Sequence, residues 1–214
     1  MSDVRANVTV VDDDPLVLRS LDRLLQSAGY AVETYSSALE FLRSCAFDAP
    51  GCVVMDLSLP YLNGLDLQQA LGKIADARPV VFISGHGTVP NSVEAMKAGA
   101  VDFLTKPVDA EKLLGAVRAA LSKDHAAREQ RAGQAAVTSR LCTLTPRERE
   151  VLAGVVVGKL NKQIAAELGT AEKTIKVHRG RIMEKMQVRT AAALVGLLSR
   201  AAPRAQPPPS LHVF

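Results

Sequence analysis

Five polar side chains in the first half of this 214-residue chain stand where short apolar runs stop. Asp12 and Asp13 follow Val8-Thr9-Val10-Val11, and Asp56 follows Cys52-Val53-Val54-Met55. Ser84 follows Pro79-Val80-Val81-Phe82-Ile83, and Lys106 follows Val101-Asp102-Phe103-Leu104-Thr105. Three carboxylates can hold a hard cation such as Mg2+ and offer one of their number as an acceptor. A hydroxyl and an ammonium can bind a phosphoryl group. The chemistry requires that all five meet in one place.

The elements between them supply that meeting point. Short apolar runs alternating with helical patterns read as buried strands of a parallel sheet. In an open α/β sheet the ligand site lies outside the carboxyl ends of the strands. The expected fold class is therefore α/β, a doubly wound five-stranded parallel sheet. Strands are expected near Asn7–Val11 and Ala31–Tyr35, then ending at Asp56, ending at Ser84, and over Val101–Leu104. Asp14 is placed as the cap of a helix that starts at Pro15 and stops at Ala28-Gly29, not as a ligand. Ser36 or Ser37 caps a helix through Phe41 and Leu42, and further helices span Leu65–Leu71, Val89–Ala98 and Asp109–Leu121. His86, in the loop Gly85-His86-Gly87-Thr88, is given no catalytic role.

Charge divides the chain. Residues 1–121 hold 10 Lys plus Arg against 15 Asp plus Glu, a net −5, whereas residues 122–214 hold 16 against 7, a net +9. An acidic half joined to a basic half suggests that the second half alone meets nucleic acid. No apolar run approaches the roughly 20 residues of a membrane helix. The N-terminus Met1-Ser2-Asp3-Val4-Arg5 lacks a signal-peptide layout. Cys45, Cys52 and Cys142 fit no metal-ligand spacing and read as reduced thiols, so a cytoplasmic location without membrane contact is expected.

Residues 122–140 are charged and Ala-rich with almost no apolar periodicity, which suits a linker with helical potential. A second compact unit of four helical segments follows, from about Leu144 to Leu198. Thr145, Pro146 and Glu148 form a capping-box signature. Asn161 opens a helix with Ile164, Ala165 and Leu168 buried, Gly169-Thr170-Ala171 is a turn, and a longer helix runs from about Glu172 to Met186. Ile175, Ile182 and Met186 share its core face. The tail from 201 to 214, with Pro207-Pro208-Pro209, is expected to be disordered.

The first half resembles the receiver domain of two-component response regulators over about 120 residues. The resemblance rests on Asp12-Asp13, the lone Asp56, Ser84 and Lys106-Pro107 in order at strand ends. Gly85-His86-Gly87-Thr88-Val89-Pro90 and Ala95-Met96-Lys97-Ala98-Gly99-Ala100-Val101-Asp102-Phe103 are similar to the FixJ-type subgroup. The resemblance implies a flavodoxin-like fold with Asp56 as the phosphorylated residue. It implies Mg2+ bound by Asp13 and Asp56 directly, by Asp12 through water and by the backbone carbonyl of Ser58. Lys106 would pair with the phosphoryl oxygens. Ser84 and Phe103 would form a switch in which the hydroxyl moves to the phosphoryl group and the ring swings inward.

The second half resembles the LuxR/NarL-type helix-turn-helix. The matching runs are Leu144–Leu152, Gly158–Gly169 and Glu172–Arg179 through Lys185-Met186. A helix of this kind fits the major groove. The candidate DNA contacts are Lys162, Lys173, Thr174, Lys176, Val177, Arg179 and Arg181, with phosphate and base contacts both open for the lysines. His178 reads as a packed structural residue. Two departures stand out: Ala171 occupies the usual Ser/Thr cap position, so that either Thr170 serves instead or the cap is weaker, and Gly180 stands where relatives often place a longer side chain.

The expected organisation is a receiver over 1–121, a linker over 122–140, a LuxR-type helix-turn-helix over 141–200 and a tail over 201–214. The expected function is a response regulator, not an enzyme. Phosphotransfer from a sensor histidine kinase to Asp56 would drive homodimerisation and binding to a two-fold promoter site in double-stranded DNA, with RNA polymerase a further candidate partner. Two alternatives stand beside this reading. One is a DNA-binding regulator with a degenerate receiver, which the intact Asp12, Asp13, Asp56, Ser84 and Lys106 set opposes. The other is an Asp-nucleophile phosphohydrolase of the haloacid dehalogenase type, which wants a second Asp where this chain has Ser58.

Overall fold

The computed structural model describes residues 6–44, 49–60, 64–72, 78–85 and 89–201. Expectations for Cys45, residues 61–63, His86 with its neighbours 87–88, and the tail from 202 to 214 lie outside the described residues. The chain divides into two compact units, Met1–Arg128 and Glu129–Phe214.

The first unit winds five strands into one parallel sheet: β1 (Asn7–Val11), β2 (Ala31–Tyr35), β3 (Cys52–Asp56), β4 (Val80–Ser84) and β5 (Asp102–Thr105), in the order β2-β1-β3-β4-β5. The chain reverses its winding direction between β1 and β3, so a crevice opens at their carboxyl ends. Alternate residues of each strand face opposite sides of the sheet. Val53, Met55 and Phe82 pack with α2 (Ala38–Ser44), α3 (Gly64–Gly72) and α4 (Val89–Lys97). Cys52, Val54, Val81 and Ile83 pack with α1 (Pro15–Ser27) and with Leu113, Ala116, Val117 and Ala120 of α5 (Ala110–Cys142). The central strands β3 and β4 are buried throughout, which accounts for their continuous apolar runs.

Local signals act as read. Asp14 caps α1 by accepting from the Leu16 N–H, and Pro15 takes the first helical position. Ser37 is the cap of α2, its hydroxyl accepting from the Glu40 N–H, while the Glu40 carboxylate reaches back to the Ser36 N–H. β5 is displaced one residue from the expected Val101–Leu104.

The largest departure is at α5. The apolar periodicity predicts a stop near Leu121, but the helix continues without a break through the expected linker to Cys142. Residues 122–140 lose the periodicity because little of that stretch is covered, yet Ala, Arg, Gln and Glu are strong helix formers and need no buried stripe to stay helical.

The second unit comprises α6 (Pro146–Val156), α7 (Asn161–Glu167), α8 (Glu172–Met186) and α9 (Ala191–Ala201) around Val151, Ile164, Ile175, Ile182, Met186 and Leu194. Val137 of α5 joins that core. Gly154 is where α6 and α7 meet most closely, since a Cβ there would lie 2.8 Å from Ile164 Cγ1.

Candidate functional site

Strand register brings the predicted residues of the first unit to one edge. Val11 pairs with Met55, Asp56 with Ile83 and Ser84 with Thr105, so Asp12, Asp56, Ser84 and Lys106 sit at the ends of four adjacent strands. Asp12 and Ser84 are fully buried, Asp56 is nearly so, and Asp13 faces solvent. The Lys106 ammonium bridges the two buried carboxylates, donating to Asp12 Oδ2 at 2.7 Å and to Asp56 Oδ2 at 2.6 Å. The remaining oxygens accept from the main chain: Asp12 Oδ1 from the Asp14 N–H at 2.9 Å and Asp56 Oδ1 from the Ser58 N–H at 3.0 Å. Both carboxylates are thereby fixed in direction by their own loops.

Burial dominates the electrostatics. It pushes the Asp12 carboxyl above its ordinary value, against the opposing pull of the Lys106 and Asp14 hydrogen bonds. Burial also works against the Lys106 ammonium, but hydrogen bonds to Asp12 and Asp56 outweigh it and hold the lysine above its ordinary value. Lys106 therefore stays charged at neutral pH. It offsets the repulsion of two close carboxylates that share one crevice.

The donor set fits a hard divalent cation. Asp12, Asp13 and Asp56 each offer an oxygen, and those oxygens lie within 4.8 Å of one another. Exposed Asp13 leaves an open side for the water that Mg2+ retains. Ser58 lies exposed two residues after Asp56. Phe103, on β5 beside Phe82, is half-buried against the core on the α4 side of the sheet.

In the second unit, α7, a turn at Gly169 (φ +61) and α8 form a helix-turn-helix. Ile175, Ile182 and Met186 bury one face of α8. Lys173, Thr174, Lys176, Val177 and Arg181 are exposed, Arg179 is half-buried, and Lys162 is exposed on the first turn of α7. Val177 is 49% exposed among these cations. His178 is half-buried, with Nδ1 enclosed and lacking a hydrogen-bond partner among the described residues. Ala171 is the N-cap of α8 and no side chain caps it, so Thr170 does not take that role. Gly180 faces open space.

Sequence reasoning missed the residues that hold α7 and α8 in place. Glu148 of the capping box is 2% exposed and pairs with Lys185 at 2.7 Å. Arg140 of α5 donates to the Met186 carbonyl at 3.3 Å, and Arg147 donates to the Leu168 carbonyl at 2.7 Å. Partners so distant in sequence leave no spacing signal.

The family models agree with both halves. The response regulator receiver domain matches residues 8–118, and the luxR family of bacterial regulatory proteins matches residues 142–198. Nodulation protein W of Bradyrhizobium diazoefficiens is 46% identical over 191 residues, covering 89% of this chain and 84% of that protein. Response regulator protein TodT of Pseudomonas putida is 44% identical over 200 residues, covering 94% and 88%. Among solved structures, response regulator StyR superposes with a TM-score of 0.83 at 44% identity, covering 92% of this chain and all of that one. A receiver followed by a LuxR-type DNA-binding domain, shared along nearly the full length of these relatives, places this chain among the two-component response regulators that regulate transcription.

Proposed function

We propose that Asp56 is the phosphoacceptor and that its phosphorylation switches DNA binding by the second unit. The observation that carries this reading is the bridge Asp12–Lys106–Asp56, with Lys106 Nζ 2.7 and 2.6 Å from the two carboxylates. In the transfer, an Asp56 oxygen forms a bond to the phosphorus of a phosphohistidine on a sensor kinase. The P–N bond breaks, and its electron pair returns to the imidazole. Mg2+, when bound by Asp12, Asp13, Asp56 and the Ser58 carbonyl, supplies neutralising charge for the transferred group. Lys106 exchanges its contact with Asp56 for one with a phosphoryl oxygen, and its link to Asp12 keeps it in position. The Ser58 N–H already directs the Asp56 carboxylate.

Ser84 and Phe103 are the proposed relay, since they lie on the adjacent strands β4 and β5, Ser84 at the end of β4 and Phe103 beside Phe82, two positions earlier in the register. The face formed by α4, β5 and the start of α5 is the proposed dimer surface, with Val93 and Met96 of α4 exposed at 45% and 47%. Two DNA-binding units held together would read a two-fold site with half-sites about one helical turn apart. Tethering makes the second contact intramolecular and strengthens the whole.

Incubation with acetyl phosphate or a phosphohistidine donor tests the reading. Wild-type protein should take up one phosphoryl group in the presence of Mg2+ and sediment as a dimer, and Asp56→Asn should remain folded and unlabelled. Labelling of Asp56→Asn near the wild-type level would overturn the assignment.

A further inference from the structure

The stretch of α5 beyond Leu121 is where the helix should leave the first unit. Crossover helices run back along the sheet, so α5 descends from the phosphoryl edge to the opposite, amino-terminal edge of the strands. Its last residue in the sheet core is Ala120, with Leu121 half-buried behind it. A linker that served only as a tether would become fully solvated at this point. Three side chains instead reach back. The Lys123 ammonium donates to the Gly99 carbonyl at 3.2 Å, directly after the last turn of α4. Asp124, 3% exposed, accepts from the Gly51 N–H at 3.0 Å, at the start of β3. Arg128 donates from Nε to Asp124 at 2.8 Å and from Nη2 to the Ala49 carbonyl at 2.7 Å. Arg78, 4% exposed before β4, donates to the same Ala49 carbonyl at 2.9 Å and to Thr9 of β1 at 2.8 Å.

Burying a carboxylate at the foot of a helix is costly unless it is paired and hydrogen-bonded. Here the Oδ2 atom of Asp124 is both: it accepts from the Gly51 N–H and from Arg128, and Arg128 in turn reaches the Ala49 carbonyl that Arg78 also bonds. The partners lie 73 and 79 positions away from α5 in sequence. Charged contacts of this kind fix direction and register more than they add stability.

We infer that Lys123, Asp124 and Arg128 are positioning residues that brace the outgoing linker helix against the receiver, making it a stiff continuation of α5 and not a hinge. The brace transmits the receiver's state: Lys123 ties the helix to the end of α4, the helix that follows Ser84 in the proposed relay, and Asp124 ties it to the base of the strand that carries Asp56. The transmission rests on the function proposed above; the stiffness does not.

Full-length Asp124→Ala, Asp124→Asn and Arg128→Gln proteins test the inference. Amide hydrogen exchange of the unphosphorylated protein reads the brace without reference to phosphorylation. Protection over residues 122–135 should fall at least tenfold in Asp124→Ala and less in Asp124→Asn, which keeps an acceptor for the Gly51 N–H. Acetyl phosphate labelling should stay at the wild-type level in each. The gain in affinity that phosphorylation confers should shrink at least fivefold, measured on a duplex selected in vitro by the phosphorylated wild-type protein. Unchanged exchange over 122–135 overturns the brace. Raised exchange with an undiminished phosphorylation-dependent gain overturns the transmission. Should Asp124→Ala fail to fold, Arg128→Gln decides by the same two readings, since it leaves the Gly51–Asp124 bond in place. A wild-type protein that takes no phosphoryl group refutes the proposed function and leaves the exchange result standing.

Discussion

Glu148 and Lys185 join the first and third helices of the DNA-binding unit across 37 positions of sequence. One carboxylate oxygen accepts from the Thr145 N–H at 2.8 Å and from the Lys185 ammonium at 2.7 Å, so a helix cap and an ion pair share a single atom. Lys185 also donates to the Thr143 carbonyl at 3.0 Å. The last turn of α8 is thus fixed to the start of α6.

Glu148→Gln is expected to destabilise the DNA-binding unit by about 1–2 kcal/mol, the range for a charge-assisted hydrogen bond whose lysine keeps some water contact. The pH response carries a sign. The hydrogen bond from Lys185 and that from the Thr145 main chain hold the Glu148 carboxyl below its ordinary 4.5. A depressed folded-state value means that the contribution is full above about pH 4.5 and is lost as pH falls through the folded value. Urea unfolding at pH 7 and at stepwise lower pH should show wild type losing its advantage over Glu148→Gln below that point. A constant gap between the two proteins would remove Glu148 from the acid response.

Lys106→Met should destabilise the receiver by about 1–3 kcal/mol without added cation, because it strands the buried Asp12 and Asp56 carboxylates facing each other. Removing the ammonium also removes the competitor for Asp12 Oδ2 and Asp56 Oδ2. Millimolar Mg2+ should therefore raise the melting temperature of the variant more than that of wild type, as expected for a ligand that binds only the folded state. Equal Mg2+ stabilisation of both proteins would mean that the cation does not share these oxygens with Lys106.

The phosphoryl site was legible because a parallel sheet converts position along the chain into position in space. Asp12, Asp56, Ser84 and Lys106 each end an apolar run, and strand register does the rest. The capping box at Thr145 and Glu148 was legible because its two members sit three residues apart. Lys185, Arg140 and Arg147 were not legible, since their partners are distant carboxylates or main-chain atoms that any residue would supply; Asp124 and Arg128 stand four residues apart, but their main-chain partners at Gly51 and Ala49 are just as distant. Residues 122–140 were legible only as a linker with helical potential for a related reason: amphipathic periodicity marks helix that is buried, and this stretch of α5 is mostly exposed. Gly154 would read as a helix-weakening residue, whereas the contact with Ile164 requires it to lack a Cβ.

Gly180 is the opposite case. It lies mid-helix in α8, and a Cβ built there meets nothing within 4 Å. Gly180→Ala should stabilise the unit by about 0.5–1 kcal/mol through helix propensity and the entropy of the unfolded chain. Thermal unfolding of the two proteins checks this. A loss of stability would mean that the surface of α8 is more crowded than the free chain indicates.

Lys162 and Val177 are proposed to make two different kinds of DNA contact. Lys162 stands on the first turn of α7, where its ammonium adds to the exposed N–H groups of a helix start, a pairing suited to phosphate. Val177 is exposed on α8 on the side away from Ile175, Ile182 and Met186, and offers only methyl groups, which are suited to a thymine methyl in the major groove. Lys162→Ala should weaken binding to all sequences nearly equally, and should lower the slope of log affinity against log salt by about one phosphate contact. Val177→Ser should leave the salt slope and non-specific binding unchanged and cost about 1 kcal/mol or more on the preferred site, relaxing the preference at one base pair. Titrations of both variants at several salt concentrations, on the selected duplex and on a scrambled one, distinguish the roles. A changed salt slope for Val177→Ser, or a site-specific loss for Lys162→Ala, would exchange the two assignments.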